Sequence, residues 1–414
     1  MSTLVFLGAI SVVIWLGILM HPARPWDFQP VGDDGALPPT PPAWPSVCIL
    51  IPARNESTAL PHTLPALLQQ DYLGDWAVIL IDDRSTDGTA NIARQIAEAS
   101  GVAERLTILS GAALPRGWVG KVWALEQGAR YCGLPIPSSK LQVFNPQSAI
   151  RNPQYLLLTD ADIHHAHESL RRLVAESEAG SLALNSRMAR LRCISGAERL
   201  LIPAFVFFFN LLYPMRRVND QRSAVAAAAG GCVLLASSAL ERTGGFAGIK
   251  NEIIDDVSLA RQIKRLDVPI HLALSRHTVE SLRTYDSLAA VWAMVRRTAF
   301  TELRYSWLRL AGTLAGLALM FLLPLLWMFG GAVLILASVS GWFAVSLPGS
   351  IILMIEGFCA WLLMALVYRP AVHFFGLSGL WAWTLPLAGI LYGAMTVDSA
   401  LRYLAGIGIT WRDR

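Results

Sequence analysis

Two hydrophobic patterns alternate along this chain. Between about residues 46 and 275, short apolar runs end in polar or charged residues and are followed by segments of helical period. Val47-Cys-Ile-Leu-Ile51, bounded by Pro45 and Pro52, reads as a buried strand, as do Trp76 to Ile81, Arg105 to Leu109 and the run ending at Leu158. Helices are predicted over 59–70, 90–99 and 122–131. This strand–helix alternation predicts an α/β domain with a mostly parallel, Rossmann-like sheet and helices on both faces. Further on, a helix is expected over 164–179, another ending at Arg265, a last strand at His271 to Leu274, and an amphipathic helix from Leu288 to Leu308.

The second pattern is long and uncharged. Leu4 to Met20 carries no charge, is long enough to cross a bilayer, and lacks the preceding basic residue of a signal peptide. Pro22 to Pro45 reads as a linker. Leu310 to Pro348 is again free of charge, and Gly330-Gly331 is expected to divide it into two spans. Ser350 to Val367 makes a third despite Glu356, and Leu380 to Val397 a fourth. Phe205 to Pro214 is too short to span and is expected on a membrane surface, a buried core helix being the competing reading. The expected division is a span at 1–22, a linker at 23–45, a globular domain at 46–307, about four helices at 308–400 and a tail at 401–414 with Arg402, Arg412 and Arg414. The basic residues after the first span predict a cytoplasmic domain on a multi-pass membrane protein.

Composition agrees: hydrophobic residues make up 54% and charged residues 15%, with a mean hydropathy of +0.45, too apolar for an ordinary soluble protein. The net charge of +4 comes without a basic, aromatic-laced tract, so no nucleic-acid partner is expected. The five cysteines are scattered without metal-ligand spacing.

Chemistry gathers at the predicted C-terminal ends of the strands, where open α/β sheets bind ligands. Arg54 and Glu56 follow the first, Asp82 and Asp83 the second. The run Leu156-Leu-Leu-Thr-Asp-Ala-Asp-Ile163 ends in Asp160 and Asp162, which at this spacing can share one hard divalent cation, Mg2+ or Mn2+, on a diphosphate. The competing reading is an Asp-rich turn capping the next helix. Lys121, at a predicted helix start, suits a phosphate. Asp255-Asp256 suits a general base, since adjacent carboxylates raise each other's pKa; an N-cap pair is the alternative. Arg296 or Arg297 suits a leaving diphosphate, the alternative being a basic helix face on anionic lipid.

Pro52-Ala-Arg-Asn-Glu56, Asp82-Asp-Arg-Ser-Thr-Asp-Gly-Thr89, Thr159-Asp-Ala-Asp162 and Asp255-Asp256, in this order, resemble the inverting family 2 glycosyltransferases of GT-A fold. Gly117-Trp-Val-Gly-Lys-Val-Trp-Ala-Leu125 resembles the ceramide glucosyltransferase branch. Phe205 to Pro214, Ala228-Ala-Gly-Gly-Cys232 and Asn251-Glu-Ile-Ile-Asp-Asp256 resemble the bacterial hopene-associated glycosyltransferases. The resemblance implies a nucleotide-sugar site of Pro52, Arg54, Glu56, Asp82, Asp83, Lys121 and Asp160, a metal on Asp160 and Asp162, and Asp256 as the base of its pair with Asp255. It further implies a nucleotide-diphosphate sugar donor, expected to be a UDP-sugar, a lipid acceptor such as a hopanoid, and the bacterial inner membrane. The Gln-x-x-Arg-Trp motif of processive members is replaced by Ala293-Met-Val-Arg-Arg297, which disfavours a polysaccharide synthase. The intact carboxylates disfavour a non-catalytic membrane protein.

Overall fold

The structure, a computed structural model, describes residues 2–29, 38–136, 150–340 and 346–406. The tail arginines Arg412 and Arg414, part of the expected linker and most of a polar insertion expected at 133–153 lie outside the described residues. The chain divides into two compact units. One is helical and comprises the chain up to Phe28, Cys193–Pro214 and the chain from Tyr285 on; the other, built on a sheet, comprises Gln29–Arg192 and Met215–Thr284.

The chain opens with α1 (Ser2–Met20) of the helical unit. The sheet unit then runs β1 (Val47–Ala53), α2 (Leu60–Leu68), β2 (Trp76–Asp82), α3 (Thr89–Ala99), β3 (Leu106–Ser110), α4 (Gly120–Tyr131) and β4 (Tyr155–Thr159). These four strands are parallel, as continuous apolar runs covered on both faces require. After β5 (Ile163–His165) and α5 (Ser169–Gly180) come β6 (Leu184–Met188) and β7 (Arg190–Leu191). The chain passes through α6 (Gly196–Leu212) of the helical unit and returns with α7 (Met215–Val218), β8 (Cys232–Ala236), α8 (Ser237–Arg242), α9 (Asp255–Lys264), β9 (Ile270–Leu274) and β10 (Val279–Ser281).

The main sheet has the order β3-β2-β1-β4-β8-β6-β9, and a small sheet the order β5-β10-β7. In the main sheet β8 runs against its neighbours β4 and β6, and in the small sheet β10 runs against β5. Val47, Ile49, Ile51, Val78, Leu80 and Leu157 anchor the core on one sheet face against Leu60, Leu64 and Ala93 of the helices. The helix expected over 164–179 begins later, because Ile163–His165 pairs with β10 before α5 starts.

In the helical unit, α10 (Leu288–Glu302) precedes α11 (Trp307–Leu317), a π-helical turn at Ala318–Leu322, α12 (Leu323–Val339), α13 (Leu347–Phe374) and α14 (Leu385–Leu404). The two spans expected on either side of Gly330-Gly331 are instead one helical stretch, Trp307–Val339, so three long helices replace the four expected in this region. The glycines do not break the helix, and Gly331 serves packing: a Cβ on it would lie 2.7 Å from the Met354 nitrogen of α13, whereas one on Gly330 would meet open space. Pro324 lacks an N–H, which frees the Met320 carbonyl four residues back, and Trp15 Nε1 of α1 donates to it at 3.1 Å. Glu356 faces Gly8 of α1 and Trp327 of α12, inside the bundle.

The stretch Phe205 to Pro214 also departs from expectation. Its helix starts earlier, at a Ser195/Glu198 capping box, and continues through Pro203. Phe208 packs on Tyr392 and Phe321, and Tyr392 Oη donates to the Leu201 carbonyl at 2.9 Å, so it is a core helix of the bundle. Among the described residues, five helical stretches are long and apolar enough to cross a membrane: Thr3–Met20, Gly196–Val218, Trp307–Val339, Leu347–Phe374 and Gly379–Leu404.

Candidate active site

The parallel strands deliver polar groups to one edge of the sheet. The turns after β1 and β2 are knitted together. Arg54 Nη1 donates to the Asp83 carbonyl at 2.8 Å and lies 3.6 Å from the Asp83 carboxylate. Glu56 N donates to Thr89 Oγ1 at 2.9 Å, and Thr86 N to Asn55 Oδ1 at 2.9 Å. Asn55 and Arg84 take left-handed backbone (φ 54° and 57°), which turns each chain sharply at the strand end. Asp82 accepts from Ser85 N at 3.0 Å and stays partly exposed, whereas Asp83 is buried. Pro52 ends the apolar run within β1 and is buried.

A second cluster surrounds Lys121. Its Nζ lies 2.8 Å from Asp160 Oδ1 and 3.6 Å from Asp255 Oδ2. Lys121 sits in the first turn of α4, and the loop before it is held by Val119 N donating to the Lys250 carbonyl at 2.7 Å. Asp255 and Asp256 occupy the first turn of α9, where the helix dipole favours negative charge. They are not N-caps, since that position is Ile254. Asp256 Oδ2 accepts from Gly230 N at 2.7 Å and Oδ1 from Val257 N at 2.8 Å. Pro52, Lys121, Thr159, Gly230, Asp255 and Asp256 line one pocket. The far end of α9 is fixed as well, because Lys264 donates to the carbonyls of Val218, Val225 and Asp220 at 2.6, 2.7 and 3.0 Å.

Electrostatics follow from this packing. Burial, then the neighbouring Asp255, push the Asp256 carboxyl up to about 6, against the Lys121 charge. Burial also raises Asp255, and Lys121 opposes it. For Lys121 burial favours the neutral amine, but Asp160 and Asp255 outweigh it and hold the ammonium above its ordinary range. The cluster therefore contains one firmly cationic group and a carboxyl poised to exchange a proton near neutrality.

Asp160 and Asp162 flank a clamped turn. Thr63 Oγ1 donates to the Ala161 carbonyl at 2.7 Å and Leu282 N to the Asp162 carbonyl at 3.0 Å. Asp162 also faces Arg283, 3.6 Å away. Among the described residues no group of three or more His, Cys, Asp or Glu has metal-cage geometry. Two carboxylates on one turn, with Asp160 partly open, suit a cation that keeps waters and shares diphosphate oxygens.

The sheet unit thus brings together Pro52, Lys121, Asp255 and Asp256, with Asp160 on Lys121. Arg296 and Arg297 belong instead to α10 of the helical unit, where Arg296 lies 3.5 Å from Asp398 of α14. Sequence reasoning gave no role to Arg283, Gly230, Thr159 and His165, although Thr159 and Gly230 lie inside motifs quoted above. Arg283 has no motif around it, and His165 lies in a stretch predicted as helix.

Residues 48–244 match the family described as glycosyl transferase family 2. Among solved structures, a mannosyltransferase from Pyrobaculum calidifontis in complex with GDP-Man and Mn2+ is similar at 19% identity and TM-score 0.54, over 98% of this chain and 100% of that one. The Mycobacterium tuberculosis glucosyl-3-phosphoglycerate synthase, solved with Mg2+ and UDP, is 17% identical with TM-score 0.37, over 63% of this chain and 79% of that one. No curated protein matches by sequence. With the sheet order and the match over β1 to α8, this chain is a glycosyltransferase whose sheet unit has the GT-A fold.

Proposed function

We propose that the chain moves a single sugar from a nucleotide-diphosphate donor to the hydroxyl of a membrane lipid, with inversion at the sugar carbon. The observation that carries this reading is the convergence of Lys121, Asp160, Asp255 and Asp256 at one sheet edge, in a chain whose described residues include five apolar helical stretches of spanning length. Asp82, Asp83, Arg54 and Glu56 serve the nucleotide, and Lys121 the diphosphate. Asp160 and Asp162 would hold a Mg2+ or Mn2+ ion, which would neutralise charge on the diphosphate. Asp256 accepts the acceptor hydroxyl proton as its oxygen bonds to the anomeric carbon. The bond from that carbon to the diphosphate breaks, and the nucleoside diphosphate leaves with the electron pair. A mannosyltransferase of the same fold was solved with GDP-Man and Mn2+, so GDP- and UDP-sugars are both donors to test. The acceptor reading, including a hopanoid, rests on the motif resemblance and the apolar helices, and it puts the sheet unit on the cytoplasmic side of the inner membrane.

The test is turnover of detergent-solubilised protein with a nucleotide-sugar panel, Mg2+ or Mn2+, and a bacterial lipid extract containing hopanoids, with products identified by mass spectrometry. A new glycolipid, absent with Asp256→Asn, is expected. A sugar transferred only to water or to a soluble acceptor would overturn the lipid reading.

A further inference from the structure

A buried hydrogen-bond chain crosses the sheet unit behind the carboxylates. Thr159 ends β4, one residue before Asp160, and His165 lies on β5, where it pairs with Val279 of β10. Both side chains are inaccessible. Thr159 Oγ1 lies 2.9 Å from the Gly231 carbonyl and 2.8 Å from His165 Nε2, and His165 Nδ1 lies 3.0 Å from Ser169 Oγ. The proton positions follow by elimination. A carbonyl only accepts, so the single Thr159 proton goes to a carbonyl, and that of Gly231 at 2.9 Å is closer than that of Asp160 at 3.4 Å. Thr159 must then accept from His165, which carries its proton on Nε2. Nδ1 is left as an acceptor, and Ser169 donates to it. Burial keeps the ring neutral, as this arrangement requires.

The hydrogen bonds end at the Gly231 carbonyl, and the backbone carries the connection on to Asp256. Gly231 adjoins Gly230, whose N–H donates to Asp256 Oδ2. Both glycines are closely covered: a Cβ on Gly230 would lie 3.0 Å from Lys121 Nζ, and one on Gly231 3.0 Å from Ile163 Cδ1. Ser186 Oγ, which accepts from Ala229 N at 2.9 Å, anchors the loop from its other side.

We propose that Thr159 and His165 are positioning residues: by holding the Gly231 carbonyl they place the Gly230 N–H, and so couple the strand end bearing Asp160 to the orientation of Asp256. This rests on the reading of Asp256 as base. It explains why a β-hydroxyl residue precedes Asp160 and why a histidine with both nitrogens engaged is buried beside it.

The test compares Thr159→Val, Thr159→Ser, His165→Phe and the Thr159→Val/His165→Phe double variant, in the full-length detergent-solubilised protein. Turnover, nucleoside-diphosphate affinity with Mg2+ and amide hydrogen exchange over 228–232 are measured. Thr159→Val and His165→Phe are each expected to lower kcat by about tenfold, the scale of one misplaced hydrogen bond, with nucleotide affinity unchanged. Thr159→Ser should restore kcat, and the double variant should fall no further than the worse single one. Exchange at Gly230 and Gly231 should speed up in Thr159→Val and not in Thr159→Ser. Wild-type kcat in Thr159→Val, multiplicative losses, or no rescue by serine would overturn the proposal. If His165→Phe does not fold, the valine and serine variants alone decide. If the wild type transfers no sugar, the reading of the base fails separately, and unchanged exchange in Thr159→Val still overturns the coupling.

Discussion

Asp256 derives its chemistry from its neighbours. With burial and Asp255 raising its pKa to about 6, the carboxylate needed for proton removal is present above that value and lost below it. kcat is therefore expected to fall as pH drops through about 6, read as the acidic limb of the pH–rate profile at saturating donor. Asp256→Asn should lower kcat by about 10²- to 10⁴-fold, the usual worth of a general base, while nucleotide still binds. Lys121→Met removes the cation facing three carboxylates. It should weaken diphosphate binding and move the acidic limb to higher pH, because the Lys121 charge is what opposes protonation of Asp256. His165 gives an independent signal. Burial lowers it from 6.5 to about 3, so its contribution to stability is fully present above 6.5 and is lost as pH falls toward 3. The slope of unfolding free energy against pH in that window should be smaller in His165→Phe by up to about 1.4 kcal/mol per unit. Of these residues, Asp160 was legible because a charged group directly after an apolar run lies at a strand end, and Lys121 and Asp256 because charged groups open predicted helices. His165 and Thr159 were not. A buried polar residue declares itself only through its partners, and Thr159 meets Gly231, 72 positions away.

At the scale of elements, the strand–helix alternation reads well because a strand covered on both faces must be continuously apolar. The antiparallel β8 and the short β5 and β10 were less legible, since their pairing depends on distant partners. Glycine permits close approach in both units, between different elements in each. After β2 and β3 it permits close approach: a Cβ on Gly111 would lie 2.9 Å from the Asp82 carbonyl. In α12 and α13 it lets two helices touch, and a Cβ on Gly357 would lie 2.9 Å from Met328 Cα. Gly357→Leu should therefore destabilise the helical unit by about 1–3 kcal/mol, the usual cost of overpacking, read as a lower unfolding temperature in detergent. An unchanged temperature would mean that α12 and α13 do not pack this closely.

At the scale of the whole chain, the five helical stretches of spanning length among the described residues predict a membrane-integral protein. It should stay in the membrane fraction through alkaline carbonate and high salt and be released by detergent; release by carbonate would point to peripheral attachment. The GT-A fold class, the strand ends that carry chemistry and the presence of long apolar helices were determined by the sequence itself, because burial on two faces, helical period and spanning length are local consequences of residue type. Tertiary structure alone decided how many helices the C-terminal apolar region makes, because Gly331, which reads in sequence as a break, packs α12 against α13. It also decided that Arg296 pairs with Asp398 in the helical unit, and that Lys121 lies between Asp160 and Asp255. Those outcomes depend on groups brought together across 39 to 134 positions of chain, a separation that no local pattern records.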